Sequence, residues 1–303
     1  MPNYHALTSA LELAGTNVVV VGGTQGIGAG IALRLAELGA SVLICGRNEK
    51  LGDEMVRKLK ERGAKDARFA FAGRDLGTLK AIKALVEDIA AWAGEEGVQY
   101  LYLSQGGPVY FTPGTVENLT AGFNVQIIAH FLIPYLLLTR TNPVLREGAQ
   151  ICHIGRPGEK NRIIDFDDFS GLKAAATGTF SMMTHPFRWL FMMDVFTKEF
   201  NVKFPGIHTT HLYPGPVYTE LFNAPSLPWY MHVFQKTIFR WTSISTAQYA
   251  DIAIWETVSD EGKALRRAFW DQYGREVTVD KRVDSDPEFR QRVWDNLLQL
   301  SEI

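Results

Sequence analysis

Glycines crowd the first recognisable unit of this chain, directly after a run of four valines. The stretch "VVVVGGTQGIGAG" covers residues 18–30, and an amphipathic pattern, "GIALRLAELG", follows at once. Glycines let a turn tighten and approach a pyrophosphate closely, and the free N–H groups of a helix N-terminus bind anions. Strand, glycine loop and helix in this order therefore predict a site for the phosphates of a dinucleotide.

Strand-like apolar runs alternate with helix-period stretches over the first two thirds of the chain. The runs are "NVVVVG", "SVLICG", "ARFAFAG", "VQYLYLSQGG", "AQICHIG" and "IHTTHLYPG". Continuous apolar strands between helices indicate a parallel sheet with helices on both faces. We predict one Rossmann-type, doubly wound α/β domain, with a cofactor half over about 16–150, a lid over about 216–245 and C-terminal helices over about 246–303. A last strand is expected at "GREVTV".

Charge and composition exclude several classes of protein. The formal net charge of -2 gives no basic face for nucleic acid. Cys45 and Cys152 lie inside apolar runs, so we expect buried thiols in a reducing compartment and no metal site. The N-terminus lacks the layout of a signal peptide, and no apolar run approaches the ~18 residues of a spanning helix. "HFLIPYLLL" is short and contains Pro134. We therefore expect a cytosolic protein with no transmembrane segment.

The spacing Gly22-x-x-x-Gly26-x-Gly28 resembles the T-G-x-x-x-G-x-G pattern of the short-chain dehydrogenase/reductase superfamily, with Val21 in place of the threonine. The resemblance continues at "DL", "LSQGGP" and "YPGPVYTELF", which match an adenine-contacting aspartate, an N-A-G motif and a segment lining the nicotinamide. These motifs, together with the residues that end the second strand, give the expected cofactor-binding residues: Gly22, Thr24, Gln25, Gly26, Ile27, Gly28, Arg47, Asn48, Asp75, Leu76, Gln105, Gly106, Gly107, Pro214, Gly215, Val217 and Thr219.

The second strand ends in "CGRN", where nicotinamide cofactors are discriminated. An acidic residue there would bind a ribose 2′-hydroxyl, whereas a basic one would pair with a 2′-phosphate. Gly46 occupies the usual acidic position and Arg47 follows. The planar guanidinium suits a phosphate, so we expect NADP(H). The alternative is that Arg47 is a solvated charge at the start of a turn.

The reaction centre that the resemblance implies is a serine, a tyrosine and a lysine, with a helper asparagine. Gly155 stands at the serine position, with Arg156 after it, and Gln126 stands for the asparagine, two residues after Asn124. The tyrosine and lysine should fall within "GTFSMMTHPFRWLF", which contains neither residue type. The standard reaction centre is missing.

Two alignments give substitutes for the missing pair. Aligning "DFDDF" with a similar motif of the retinol-dehydrogenase-like branch places Ser181 at the tyrosine and His185 at the lysine. Aligning on "PG" downstream gives Thr184 and Arg188 instead. His185 suits proton transfer because histidine titrates near pH ~6.5, but "THP" is equally typical of a helix start with a threonine cap. The candidate catalytic residues are His185, Arg188, Ser181, Arg156 and Gln126.

Three functions remain open. The chain could be a reductase with a substitute proton donor, in which Arg156 or Arg188 stabilises an oxyanion or forms surface ion pairs. It could be a non-redox cyclase or isomerase that uses Asp165, Asp167 and Asp168, although runs of acids are usually solvated. It could also be a catalytically dead NADP(H)-binding sensor or partner subunit.

A cluster of aromatic residues follows the expected nicotinamide segment. Such residues suit a bulky apolar substrate, or alternatively a partner or membrane surface. We expect an apolar carbonyl or olefin substrate, with a phenol from Tyr213, Tyr218 or Tyr230 as a further possibility. The family often pairs helices such as "HFLIPYLLL", which makes a homo-oligomer the expectation. The cluster consists of Phe222, Trp229, Tyr230, Phe234, Phe239 and Trp241.

Overall fold

Seven strands form one sheet in the order β3-β2-β1-β4-β5-β6-β7 in a computed structural model that describes residues 2–106, 119–181, 184–217 and 243–303. All six strand pairings are parallel, which confirms the predicted fold class. The order reverses between β1 and β4, and parallel α/β sheets bind ligands at the carboxyl ends of their strands beside such a reversal. The strands are β1 (Asn17–Val21), β2 (Ser41–Gly46), β3 (Phe69–Gly73), β4 (Val98–Leu103), β5 (Leu145–Ile154), β6 (His208–Leu212) and β7 (Phe269–Trp270).

Helices cover both faces of the sheet. The long ones carry apolar faces that pack on the strands, and short ones connect them. The described helices are α1 (Tyr4–Thr8), α2 (Gly26–Glu37), α3 (Glu49–Arg62), α4 (Leu79–Ala93), α5 (Ala121–Thr139), α6 (Leu172–Ala176), α7 (His185–Lys203), α8 (Thr246–Val258), α9 (Asp260–Ala264), α10 (Lys281–Ser285) and α11 (Pro287–Leu300).

The four valines of β1 show how the core is divided. Val19 and Val21 join the apolar cluster under α4, α5 and α7, whereas Val18 and Val20 join the cluster under α2 and α8. Successive side chains of a strand point to opposite faces, so a strand that is buried on both faces must be apolar throughout. Cys45 and Cys152 are both buried and free, as predicted.

The last strand lies earlier in the chain than predicted. Phe269–Trp270 pairs with β6, whereas within "GREVTV" only Glu276 forms a single antiparallel bridge to Trp270. Phe269 and Trp270 are buried, and the chain then reverses because Asp271 accepts hydrogen bonds from the backbone N–H groups of Tyr273 and Arg275. The β propensity of "EVTV" was misleading, because the buried aromatic pair upstream forms the strand.

Helix α5 corrects the expectation that no segment is long enough to span a membrane. Ala121–Thr139 has 19 residues and a mean hydropathy of 1.6 over its most apolar window, and 61% of that window is buried inside the protein. Its ring of Phe131 packs edge-on against Trp294 of α11, with 4.8 Å between centroids, and Tyr135 contacts the same indole. The segment is therefore packed as a core helix.

Helix α8 buries a carboxyl group that has incomplete hydrogen bonding. Glu256 is 3% exposed, and its Oε1 has no hydrogen-bond partner. Burial, together with the nearby Asp271 charge, raises the pKa of Glu256 well above its ordinary value, although Arg267 opposes this. Because its pKa is higher in the folded state than in the unfolded chain, Glu256 favours folding at acidic pH, and this contribution is lost as the pH rises through the folded pKa.

We expect Glu256→Gln to reduce the loss of stability that the wild type suffers between pH 5 and pH 8, and to raise the free energy of unfolding at pH 8 by about 1 kcal/mol or more. Urea unfolding at both pH values measures this. Glu261→Gln, at an exposed position on the neighbouring α9, is the matched control. An unchanged pH dependence in Glu256→Gln would show that the carboxyl is not costly.

Candidate functional site

The glycine loop packs so closely on β4 that no side chain fits at two of its positions. A Cβ on Gly22, whose φ is +80°, would lie 2.7 Å from the backbone nitrogen of Gln105. A Cβ on Gly28 would lie 2.4 Å from the carbonyl oxygen of Gly22 and closer still to the Ser104 hydroxyl. That hydroxyl donates to the Val21 carbonyl at 2.9 Å. The loop, the first turn of α2 and the end of β4 are thereby fixed together.

The N-terminus of α2 differs from those of its neighbours. Gln25 is its N-cap residue and makes no side-chain capping bond, whereas Asn48 caps α3 and Thr78 caps α4. The first-turn N–H groups that follow, on Gly26, Ile27 and Gly28, are left for another acceptor. Uncapped N–H groups at the positive end of a helix dipole favour an anion such as a phosphate.

The end of β2 leaves a cation exposed. A Cβ on Gly46 would lie 2.9 Å from the methyl group of Thr24, so the loop occupies the space of a side chain there. Arg47 is exposed, and the described residues place no carboxylate within ion-pair distance of it. Asn48 uses its side-chain oxygen to accept from the Leu51 N–H at 3.1 Å. Arg47 is therefore available to an anionic ligand, and Asn48 positions it at the start of α3.

Two adjacent turns follow β3 and β4. Asp75 accepts a hydrogen bond from the Gly77 N–H at 3.1 Å, and the neighbouring Leu76 is buried. Gln105 is 9% exposed, yet within the described part of the chain neither its amide nitrogen nor its amide oxygen has a hydrogen-bond partner. Buried amides are normally hydrogen-bonded, so a bound group is a natural partner for Gln105. Gly106 is exposed, and Gly107 lies outside the described residues.

The residues directly after β6 are described up to Val217. Gly215 has a φ of +66°, and a Cβ there would lie 2.8 Å from Gln272. Val217 is buried and forms a parallel bridge with Ile244. Pro214 and Tyr213 precede this point. The remaining predicted residues of the region lie outside the described residues, namely Tyr218, Thr219, Phe222, Trp229, Tyr230, Phe234, Phe239 and Trp241.

A π-type turn in α5 carries the amides that sequence analysis considered. It covers Asn124–Ile128 and includes Gln126, which is half-buried. Asn124 is fully buried and donates to the Gly77 carbonyl at 2.8 Å, while its side-chain oxygen has no hydrogen-bond partner among the residues described. Single π turns occur frequently at functional sites. Asn124 therefore ties the turn after β3 to α5 and keeps one free acceptor.

Ser181 and His185 are brought together at the start of α7. The backbone N–H of Ser181 donates to Nδ1 of His185 at 3.1 Å, and the imidazole stacks on Phe180 at 3.9 Å. His185 is the first residue of α7 and Pro186 lies in its first turn, so this segment starts a helix. Thr184 makes no capping bond, and its hydroxyl instead contacts His185 at 3.3 Å. His185 is 8% exposed, and its ring contacts Ser181, Phe180 and Thr184.

The two candidate arginines have different surroundings. Arg156 contacts Glu159 at 3.5 Å and lies over the ring of Phe187, which Arg162 also contacts. It is therefore part of an ion-pair cluster. Arg188 on α7 is half-buried, and among the described residues it has no carboxylate at ion-pair distance. Of the two, Arg188 is the cation without a described counter-charge.

The acidic run in the connection after β5 shapes that connection. Asp165 accepts from the backbone N–H groups of Asp167 and Asp168. Asp168 accepts from the N–H groups of Lys173 and Ala174, at the start of α6. Such bonds are typical of turn and capping residues. Asp165 and Asp168 thus have local structural roles.

Four buried polar residues near the carboxyl ends of β4–β6 were missed by the sequence analysis. His153 on β5 and His211 on β6 are in register, and both are 0% exposed. His130 of α5 contacts His153, with 3.2 Å between their Nδ1 atoms, and Asp194 of α7 contacts His211 at 2.8 Å. The signal was present, since "ICHIG" and "HTTHL" place histidine within otherwise apolar strands.

Desolvation keeps two of these histidines neutral. The Nε2–H of His130 donates to the Gln105 carbonyl at 3.0 Å, so in the neutral ring its Nδ1 accepts from His153. Burial lowers the pKa of His130 to about 4 despite that hydrogen bond, and burial lowers the pKa of His153 well below its ordinary value. The Nε2 of His153 is left as a buried acceptor that none of the described residues bonds.

The sequence profile of the short chain dehydrogenase family matches residues 16–187, which is more than half of the chain. The chain belongs to this family. The match begins just before β1 and ends at the start of α7, so it includes the glycine loop and the strand ends described above. The family is one of oxidoreductases that use nicotinamide cofactors.

Curated relatives agree with this assignment. Retinol dehydrogenase 11 of Mus musculus is 25% identical over 286 residues, which cover 87% of each chain. An uncharacterized oxidoreductase of Schizosaccharomyces pombe is 24% identical over 265 residues, covering 82% of this chain and 74% of the relative.

Solved structures share the fold over nearly the whole chain. A putative uncharacterized protein from Mycobacterium paratuberculosis has a TM-score of 0.70 at 18% identity, covering 97% of both chains. The angucycline C-6 ketoreductase LanV, solved with bound NADP, has a TM-score of 0.61 at 19% identity, covering 86% of this chain and 95% of its own.

A nicotinamide dinucleotide fits the residues that this family member presents. The uncapped start of α2 suits the pyrophosphate, and the free amide of Gln105 offers both a donor and an acceptor. The structure brings together Gly22, Gly28 and Gln105, which sequence analysis assigned to one site. Arg47 follows β2, the neighbour of β1, and Gly215 follows β6, which is two strands away from β4.

We expect Gly28→Ala to lower both the melting temperature and the affinity for a nicotinamide dinucleotide, because its methyl group would collide with the Gly22 carbonyl. Overpacking of this kind costs about 1–3 kcal/mol. Gly206→Ala is the matched control, since its Cβ would meet only Glu147 at 3.7 Å. Calorimetry and a fluorescence titration measure the two effects, and equal behaviour of the two variants would contradict the close packing.

The neutral His130 gives a second prediction. Its pKa is lower in the folded protein than in the unfolded chain, so its contribution to stability is present above about pH 6.5 and is lost as the pH falls towards 4. The loss amounts to roughly 3 kcal/mol between these values.

Urea unfolding from pH 7 to pH 4 should show this loss in the wild type and a shallower loss in His130→Gln. His5→Gln, at a surface position on α1, is the control. If His130→Gln lost stability with pH as steeply as the control, His130 would not be the residue responsible.

Proposed function

We propose that the chain is an NADP(H)-dependent reductase of bulky apolar carbonyl or olefin compounds that works without the usual serine, tyrosine and lysine. Membership of an oxidoreductase family supports the reaction class. The choice of cofactor, the unusual reaction centre and the substrate class rest on particular residues.

The exposed Arg47 carries the choice of cofactor. It follows Gly46, where a carboxylate would otherwise bind the ribose hydroxyls, and a Cβ at this position would require the Thr24 methyl group, 2.9 Å away, to move. A guanidinium without a described counter-ion offers two parallel N–H donors to a 2′-phosphate. The bound NADP in LanV, which shares the fold, is consistent with this choice.

The proposal of an unusual reaction centre rests on which residue types occur at the expected catalytic positions. Residues 178–191 contain no tyrosine and no lysine, and Gly155 follows β5 where a serine was expected. The chain must therefore bind the substrate oxygen and supply its proton with other groups. Arg188 is the candidate for stabilising developing negative charge, because it is half-buried and lacks a described counter-charge.

The substrate class rests on the aromatic residues after Val217 and on the names of related proteins. Retinol dehydrogenase 11 is named for retinol, and LanV is named as an angucycline C-6 ketoreductase. In the sequence, the cluster from Phe222 to Trp241 comes directly after the predicted nicotinamide segment. A cytosolic location and a homo-oligomer complete the proposal.

The alternative non-redox function loses support at two of its three candidate carboxylates. Both oxygens of Asp168 and one oxygen of Asp165 already accept backbone hydrogen bonds. A carboxylate that holds a turn in this way is a poorer general base, because taking up a proton would compete with those hydrogen bonds. The reductase is therefore the function that the described residues support best.

Fluorescence titration with NADPH and NADH tests the proposal. We expect tight binding of NADPH only, and Arg47→Asp should weaken NADPH binding roughly tenfold to a hundredfold, the value of a lost charge-assisted contact. Arg57→Asp on the following helix α3, also an exposed arginine, is the matched control. Equal affinities for NADPH in Arg47→Asp and wild type would overturn the phosphate assignment.

Consumption of NADPH with a panel of cyclic ketones and retinal-like aldehydes then tests the reaction. Turnover of at least one panel member is expected. Tight NADPH binding without turnover of any member would favour a binding protein over a reductase.

A further inference from the structure

His211 and Asp194 form a buried hydrogen-bonded pair that leaves one nitrogen of the imidazole unused. Nδ1 of His211 lies 2.8 Å from Oδ1 of Asp194, and both side chains are 0% exposed. The other oxygen of Asp194 accepts the Gly158 N–H at 2.9 Å. With both carboxylate oxygens accepting, Nδ1 of His211 is the donor, and Nε2 carries the lone pair of the neutral ring.

Among the described residues, that Nε2 atom has no hydrogen-bond partner. Leaving a buried acceptor unpaired costs about 1–3 kcal/mol, so the atom requires an explanation, and a catalytic role is one that is recognised. His208, on the same strand, uses its Nε2 to contact the Arg267 carbonyl at 3.2 Å.

Nε2 lies directly behind Gly155. A Cβ at residue 155 would be 2.4 Å from Nε2 of His211, so only glycine tolerates the imidazole in this place. Gly155 is the residue that follows β5, it is partly exposed, and its N–H donates to the Leu212 carbonyl at 2.9 Å. The imidazole thus occupies the space behind the strand end at which sequence analysis expected a catalytic serine.

We propose that His211, oriented by Asp194, is the proton-transfer residue of this site. The inference rests on the proposed reductase function and supplies its missing proton donor. In the reducing direction, the carbonyl carbon receives the hydride and the carbonyl oxygen receives a proton from Nε2–H of the imidazolium. His211 becomes neutral and recovers a proton from solvent. Because Gly155 covers Nε2, the proton passes from Nε2 to the substrate oxygen through one water molecule. Acid–base side chains can act through a single water in this way.

The electrostatic surroundings of the pair suit this role. Asp194 on α7 supplies a negative charge to the imidazolium, and His211 in turn opposes the rise that burial causes in the pKa of Asp194. The other titratable groups facing the pair are Glu159, which lies near Asp194, and the neutral His153 and His130. Asp194 is a positioning residue, which fixes the tautomer and orientation of the ring.

Long-range ¹H–¹⁵N NMR of the histidine side chains tests the inference without any substrate. We expect Nδ1 of the neutral His211 ring to carry the proton and Nε2 to carry the lone pair. In Asp194→Asn this preference for the Nδ1–H tautomer should weaken, because the carboxylate that accepts its hydrogen bond is gone. A wild-type ring that carries its proton on Nε2 would overturn the inference.

Kinetics give the second test. His211→Gln should lower kcat with a ketone roughly a hundredfold or more, with the NADPH affinity within about twofold of wild type. Asp194→Asn, which keeps the shape of the side chain, should also lower kcat and shift the pH profile. His208→Gln on the same strand should leave kcat unchanged. Wild-type turnover that survives His211→Gln would refute the role of His211, whereas failure of wild type to bind NADPH would refute the proposed function instead.

Discussion

The contact of the glycine loop with the end of β4 is the constraint on which the site depends. Gly22 approaches the backbone of Gln105, and Gly28 approaches both Ser104 and Gly22, at distances that no Cβ could share. Protein interiors are close-packed and deform little, so these approaches fix the direction of α2 relative to the sheet. The N-terminus of α2 and the Gln105 amide therefore face a common region at the carboxyl ends of β1 and β4, where the strand order reverses.

A second close approach joins the end of β5 to β6. The imidazole of His211 occupies the space beside Gly155 that a side chain there would fill, and a Cβ at residue 155 would displace the ring. The glycine at 155 and the histidine at 211 therefore depend on each other.

Buried polar groups are unusually concentrated around these strand ends. His130, His153, His211 and Asp194 lie between β5, β6 and the helices α5 and α7. Each must lose its hydration, and hydrogen bonds among them recover only part of that free energy. Among the described residues, some acceptors remain unpaired, on Gln105, His153 and His211. A bound ligand or a transferred proton at these atoms can recover more of the free energy that was lost with their hydration.

The sequence by itself determined the fold class, the strands β1 to β6, the glycine loop and the family. These follow from local patterns, since apolar runs, helical periodicity and glycine spacing each act within about 15 residues. Only the tertiary structure decided the position of β7, because Phe269–Trp270 becomes a strand by pairing with β6. It alone brought His211 to Asp194 and Gly155, residues that are 17 and 56 positions away along the chain. Such contacts depend on which strands are neighbours and which faces they share, and no local pattern encodes that.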